Sequence, residues 1–366
     1  MRFLTQLSRI LVGALFIFSG LIKANDPLGF SYKLNEYFEV FGTDWLVPFS
    51  LFISIFMCAL EMLLGILLLI GARIKLTLWL LLLMILFFAS LNFYSGYYDK
   101  VHECGCFGDA IKMTPWQEFR NNMIMLVMTI FMLIRHNDIR SLFGMKMENA
   151  FVFLSIIASL GFPLYTYNYL PIIDFRPYKI GTNIYEAIHP QVKYYYTLKN
   201  KKTGEVKDFD AWPPNWDKEW DYVSNRAEPL KKGITQIVGF SMENRSGEDY
   251  TDTFLQNPKY SFLLVEYDLD KANRGVQGRI NDFSALCQKD GMEFIGLTTS
   301  TPEKINEFKN EAHSMYYFYR CPDDVPLKTM IRSNPGLILF KAGVVIDMWH
   351  FHSFPSYNDI KEKYFK

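Results

Sequence analysis

Long apolar runs separated by short polar breaks fill the first 173 residues, and beyond them the pattern changes. Leu4 to Ile22 carries one charge, Arg9; Trp45 to Gly71 carries only Glu61; Leu76 to Tyr94, Met123 to Ile134 and Ala150 to Ile173 carry none. A helix crosses a bilayer core with about 17 to 25 apolar residues. The pattern therefore predicts five spans, the fourth reaching back to Trp116 so that Glu118 and Arg120 sit in the interface. Leu21-Ile22-Lys23-Ala24 offers no small-residue cleavage pattern, so the first segment reads as an uncleaved helix.

Between the first two spans, Leu34, Tyr37, Phe38 and Phe41 recur at helical spacing with Lys33, Glu36 and Glu39 interleaved. That periodicity predicts a short amphipathic helix on the membrane surface. Arg2, Arg9, Arg73, Lys75, Arg135, Arg140 and Lys146 all fall on one side of the spans, whereas Lys23, Lys33, Lys100 and Lys112 on the other have acidic neighbours. Positive residues mark the cytoplasmic side. The chain then has a cytoplasmic N-terminus, with the polar loop between the third and fourth spans and everything after residue 173 outside.

After Ile173 the chain becomes aromatic and charged. Tyr194-Tyr195-Tyr196, the turn Lys201-Lys202-Thr203-Gly204 and Trp212-Pro213-Pro214-Asn215-Trp216 predict a β-rich connector over 174–230. From 231 to 366 strands and helices alternate. A hairpin is expected over 234–253, then strands at Phe262-Leu263-Leu264-Val265, Glu293 to Leu297, Tyr316 to Tyr319, Leu337 to Phe340 and Val344 to Asp347, with helices from Ile280, from Ser300-Thr301-Pro302 and over Val325 to Ile331. That order predicts a sheet covered by helices.

Composition narrows the function classes. The 366 residues balance 38 basic against 38 acidic side chains, so no global field favours nucleic acid. Five cysteines are too few for a disulfide scaffold, and only Cys104 and Cys106 lie close in sequence, in Cys104-Gly105-Cys106-Phe107-Gly108-Asp109. No phosphate-binding glycine loop or hydrolase nucleophile elbow is present.

The strings Arg9 to Gly13, Phe18-Ser19-Gly20-Leu21-Ile22-Lys23-Ala24-Asn25-Asp26-Pro27-Leu28-Gly29, Glu61-Met62-Leu63-Leu64-Gly65 and Cys104 to Asp109 together resemble bacterial membrane proteins of the DoxX and MauE type. The resemblance covers about residues 1–145 and implies a transmembrane four-helix bundle there, linked to thiol redox and maturation of envelope proteins. The residues at 146–173 then supply a fifth spanning helix. The bundle is similar in outline to vitamin K epoxide reductase and related disulfide-forming proteins, which carry Cys-x-x-Cys where this chain has Cys-x-Cys. The stretch 231–366 resembles an extracytoplasmic thioredoxin-like domain, with Pro335 at the position of that fold's cis-proline. Asp268 to Gly275 stands where the redox Cys-x-x-Cys would lie, so the resemblance implies a domain without its thiols, and a binding groove formed by Asn334, Pro335, Asp268 and Asp270.

Cys104 and Cys106 are the candidate redox pair. Exchange needs a thiolate, an accessible sulfur and a second thiol to resolve the mixed disulfide. A loop clip and a metal site with His102 are the other readings of the pair. Glu61, a carboxylate within a span, is a candidate proton acceptor, because such a group must pair, protonate or face a cavity. Cys58 on the same helix face reads as packing, as do Cys287 and Cys321, and His350 with His352 reads as a sheet edge with satisfied imidazoles. Two functions from different classes follow. One is a thiol–disulfide oxidoreductase of the bacterial inner membrane, serving an envelope client and linked through its bundle to quinone. The other is a non-enzymatic assembly factor whose cysteines only fix a loop.

Overall fold

The computed structural model describes residues 1–101, 108–229 and 236–365. The chain divides into two compact units, Met1–Phe175 and Arg176–Lys366.

The first unit is helical: α1 (Arg2–Asn25), α2 (Pro27–Val40), α3 (Ser50–Ile70), α4 (Ile74–Tyr98), α5 (Pro115–Ile134) and α6 (Met145–Asn168). Local chemistry sets the boundaries. Asp26 ends α1 and caps α2, its carboxylate accepting from Gly29 N at 2.8 Å, with Pro27 in the first turn. Thr114 and Gln117 form a capping box at the start of α5. At the end of α3, Gly71 takes a left-handed conformation. There Arg9 of α1 donates from Nε to Leu68 O at 2.9 Å and from Nη2 to Leu69 O at 2.5 Å. A cation on the last carbonyls of a helix complements its dipole.

Helix α1 lies along α3, α4 along α5, and α6 packs on α3. The shared core includes Val12, Phe16, Cys58, Met62, Leu68, Leu81 and Ile85. Phe52, Leu83, Val127 and Phe153 instead face outward, as helices bathed in hydrocarbon require. Helix α2 packs on α3, and the Tyr37 hydroxyl lies 3.0 Å from that of Ser95 on α4. Among the described residues, four helical stretches are long and apolar enough to cross a membrane: Arg2–Asn25, Asp44–Ile70, Ile74–Tyr98 and Met145–Asn168. The fourth of the five expected spans corresponds to α5. Its 20 residues reach about 30 Å, but Gln117, Glu118, Arg120, Asn121 and Asn122 make its first half polar, and it does not join those four.

The second unit holds two sheets. After α7 (Ile184–Ile188), β1 (Val192–Asn200), β2 (Val206–Phe209) and, beyond α8 (Trp216–Glu219), β3 (Trp220–Pro229) form an antiparallel sheet in the order β2-β1-β3. Trp212 meets Tyr196 of β1 and Trp216 in tilted contacts at 4.3–4.4 Å between ring centres. The hairpin expected over 234–253 is not formed among its described residues. Glu243 and Asp249 instead make one isolated bridge around the Asn244–Gly247 turn, where Asn244 Oδ1 accepts from Ser246 N and Glu248 N.

The larger sheet follows α9 (Thr251–Leu255). Its elements in chain order are β4 (Tyr260–Val265), α10 (Gln277–Lys289), β5 (Glu293–Thr298), α11 (Pro302–Ala312), β6 (Tyr317–Arg320), α12 (Asp324–Met330), β7 (Gly336–Lys341), β8 (Val344–His350) and α13 (Tyr357–Tyr364). The strand order is β6-β5-β4-β7-β8, with β4, β5 and β6 parallel and β7 and β8 antiparallel to their neighbours. Phe262 to Val265 are fully buried, as expected of a central strand covered on both faces. Phe283, Ile305, Phe308 and Tyr357 from the helices pack with Phe262, Leu264, Leu337 and Leu339, while Phe254 meets Phe340 edge-on. The Asn334–Pro335 bond is cis.

Candidate functional site in the helical unit

Glycines bring α1 and α3 together. A Cβ on Gly20 would stand 2.9 Å from Met62 N, so only a hydrogen fits there. The close approach delivers Lys23, in the last turn of α1, to Glu61. Lys23 Nζ lies 2.5 Å from Glu61 Oε1, and Ser19 Oγ donates to Glu61 Oε2 at 3.1 Å. Both charged side chains are nearly inaccessible, at 1% and 3% exposure. The ammonium also lies 4.6 Å from the ring centre of Phe88 and 5.4 Å from that of Phe30, close enough for cation–π attraction. Desolvating two charges is costly, and direct pairing with further hydrogen bonds offsets that cost.

Beside this pair is a cavity of about 320 Å³ between α1, α3, α4 and α5. Phe16, Ile85, Phe88, Met125 and Met128 give it apolar walls, and Ser19, Lys23, Glu61, Glu118, Asn121 and Asn122 make one polar end. Asn122 is 6% exposed, and its Nδ2 has no hydrogen-bond partner among the described residues.

Cys104 and Cys106 lie outside the described residues. Their flanks are placed: Val101 is fully buried, and a Cβ on Gly108 would stand 3.5 Å from Ile22 Cγ2. The segment after the pair thus meets α1 at the residue before Lys23. Cys58, Cys287 and Cys321 are buried free thiols, in keeping with packing roles.

In the sheet unit the structure joins two of the four expected groove residues. Asn334 Nδ2 donates to Asp268 O at 2.7 Å, and Asn273 N donates to Asn334 O at 3.0 Å. These bonds fasten the turn after β4 onto the start of β7 and leave both Asn334 and Pro335 buried. Asp270 is exposed and pairs with Lys304 at 3.0 Å, and Asp268 pairs with Lys271 at 2.8 Å. Among the described residues no group of three His, Cys, Asp or Glu could hold a metal.

Three participants escape a reading of the sequence. Its charge pattern puts Lys23 in an outer loop, although Ser19 and Lys23 share a helix face at i, i+4. Asn122 does not stand out inside a polar stretch. Glu266, directly after the apolar run of β4, is fully buried; Tyr316 donates to its Oε2 at 3.1 Å, Gln277 donates to the Tyr316 hydroxyl at 3.0 Å, and Oε1 has no partner among the described residues. Burial pushes this carboxyl up to about 8, with the Tyr316 hydrogen bond opposing. His350, buried on β8, accepts from His352 N at 3.2 Å, and burial pushes its imidazole down to about 4.

No curated protein and no solved structure matches the chain. Residues 1–135, which contain Lys23, Glu61, Asn122 and the Cys-Gly-Cys string, match the family model of the methylamine utilisation protein MauE. With four apolar helices of membrane length, that match marks the chain as an integral membrane protein.

Proposed function

We propose that the chain is a thiol–disulfide relay of the bacterial inner membrane, with Cys104 and Cys106 exposed on the outer side as its working pair. The observation that carries this reading is the position of Gly108, two residues after Cys106, where a Cβ would stand 3.5 Å from Ile22 Cγ2; Ile22 precedes Lys23, which lines a cavity with Glu61 and Ser19. A client thiolate attacks the disulfide at Cys104 and releases Cys106 as a thiolate. The client's second thiol then resolves the mixed disulfide. The client leaves oxidised by two electrons, and the pair is left as two thiols.

The strand order β6-β5-β4-β7-β8, with Asn334 braced against the turn after β4, supports a thioredoxin-like reading of the sheet unit. Asp268 to Gly275 contains no cysteine, so the unit's task in this reading is to hold a client. The burial of Asn334 and Pro335 favours a second reading, an assembly or maturation factor whose client binds elsewhere and whose loop cysteines are structural. Trapping separates the two. With Cys106→Ser, the Cys104 thiolate attacks the disulfide of an oxidised envelope protein, releasing one client thiolate and leaving a trapped mixed disulfide, and a Cys104→Ser/Cys106→Ser chain loses function. If no adduct forms and the double variant keeps full function, the relay is wrong.

A further inference from the structure

The small sheet of the second unit ends on a strand with nothing beside it. In the order β2-β1-β3, β3 pairs with β1 along one side, and among the described residues no strand lies along the other. Every residue from Asp221 to Ala227 is exposed, and among the described side chains of the three strands only Leu198 is buried. A three-stranded sheet that buries so little lacks the covered apolar face on which independent stability depends. The two edges also differ. Strand β2 is four residues long and carries Lys207, both ordinary guards against strand addition, whereas β3 has ten residues and no lysine. The register shift between Thr197 and Leu198 leaves Val223 as an extra residue, and Pro229 has no amide hydrogen, so the regular edge runs from Ser224 to Glu228, about 17 Å.

The register gives this sheet two unlike faces. Tyr196, Phe209, Trp220 and Tyr222 share one side, where Trp212 meets Tyr196 at 4.4 Å and Tyr222 at 6.1 Å, and Phe209 meets Trp220 at 4.9 Å between ring centres. On the other side Lys193 pairs with Asp210 at 2.8 Å and Arg226 with Asp208 at 3.0 Å, so the charges there already answer one another. A strand laid along β3 presents alternate side chains to these two faces. Its apolar residues extend the aromatic side past Asn225 and Ala227, and its polar residues, with no net charge to meet, are uncharged. A second copy of β3 would bring only Asn225 and Ala227 to the aromatic side of the regular edge and cover little of the rings.

We propose that the outer edge of β3 takes up an extended segment of a client polypeptide as a fourth strand, a segment in which apolar residues alternate with uncharged polar ones. The inference rests on the reading that this unit holds a client and is independent of Cys104 and Cys106. Backbone N–H and C=O groups supply the affinity, and the alternation supplies the choice of segment. Such an edge accepts a chain whose own strand is still unpaired, which describes a client before its folding is complete.

The test uses the full chain in phosphatidylcholine nanodiscs and a fluorescein-labelled peptide of alternating valine and threonine with a lysine at each end, followed by fluorescence anisotropy against empty nanodiscs. The expected result is saturable binding, unchanged in Cys104→Ser/Cys106→Ser, at least tenfold weaker in Asn225→Lys/Ala227→Lys, and lost when every internal amide of the peptide is N-methylated. The methylated peptide leaves the protein untouched, which covers the case in which the double lysine variant fails to fold. Absence of saturable binding overturns the proposal, as does equal affinity for the methylated peptide, which would put the contact on a face of the sheet and not on its edge. A chain that is dimeric in detergent and becomes monomeric in Asn225→Lys/Ala227→Lys assigns the edge to a second copy and overturns the proposal too. Saturable binding without a trapped Cys104 adduct keeps the strand site and overturns the relay, and an adduct without saturable binding keeps the relay and overturns the strand site.

Discussion

Gly13 and Gly65 meet across the α1–α3 crossing so closely that a Cβ on Gly65 would stand 2.8 Å from the Gly13 carbonyl oxygen. The same Cβ would lie 2.9 Å from Ile17 N. Backbone atoms, together with the Ile17 and Leu69 side chains, therefore fill this seam, and small residues at such crossings are what let helices in membranes approach. The seam also sets the reach of Lys23 to Glu61.

Gly65→Leu should force the two helices apart, since two of the three nearest obstructing atoms, Gly13 O and Ile17 N, are backbone and cannot swing away. Overpacking of this kind costs about 1–3 kcal/mol. Thermal unfolding of the purified chain in detergent reads the loss. An unchanged midpoint would show that the crossing relaxes without cost.

Removing one member of the buried ion pair leaves the other charge without its partner, which typically costs about 3–5 kcal/mol. Lys23→Met and Glu61→Met should each destabilise the bundle more than the double variant Lys23→Met/Glu61→Met does. Denaturant titration of the four proteins closes the cycle. A double variant as unstable as the sum of the singles would mean that the pair is not coupled.

The sheet unit should show a pH plateau built from two opposing groups. Glu266 is raised by burial, so the native state keeps a proton that the unfolded chain gives up above its ordinary pKa of 4.5. Its contribution is full below 4.5 and is lost as pH rises to about 8. His350 is lowered by burial, so its contribution is full above its ordinary 6.5 and is lost as pH falls to about 4. Between 4.5 and 6.5 the slopes cancel, and above 6.5 stability falls. Glu266→Gln should abolish the fall above 6.5 and expose a rise from about 4 to 6.5. Unfolding of the full chain across this range decides it, and a variant that still weakens above 6.5 contradicts the assignment.

Outward orientation of the cysteine segment has a direct readout. A thiol reagent that cannot cross membranes should label reduced Cys104 or Cys106 in intact spheroplasts and leave Cys58, Cys287 and Cys321 unlabelled until the protein is denatured. Labelling of the pair only after the membrane is opened would reverse the topology.

The apolar runs make α1, α3, α4 and α6 legible, because hydrophobic length alone separates them from their breaks. In the sheet unit the alternation of apolar strands with capped helices is equally plain: Thr301 and Pro302 signal the start of α11, and Phe262 to Val265 a covered strand. The expected hairpin shrinks to a single bridge between Glu243 and Asp249 around an Asn244 turn, whose side-chain bonds periodicity does not register. Glu61 announces itself as a charge in a span, yet its partner does not. Lys23 sits at a helix end, where a lysine ordinarily reaches for water, and only the glycine seam turns it inward. Asn122 and Glu266 are hidden for a related reason, since whether a polar residue beside an apolar run is buried depends on which neighbours fold over it.

Helix α6 lies beyond the match to MauE, which ends at residue 135, yet it is bound into the same bundle. Thr166 Oγ1 donates to Ala24 O at 2.5 Å, and Asn25 exchanges two hydrogen bonds with Ile173, at 2.7 and 3.1 Å. The compact helical unit, Met1–Phe175, is therefore longer than the stretch that matches the family model. A fragment cut at residue 135 would uncover the α3 face that α6 covers and strip the end of α1 of its clasp, one residue from the lysine on which the buried pair depends.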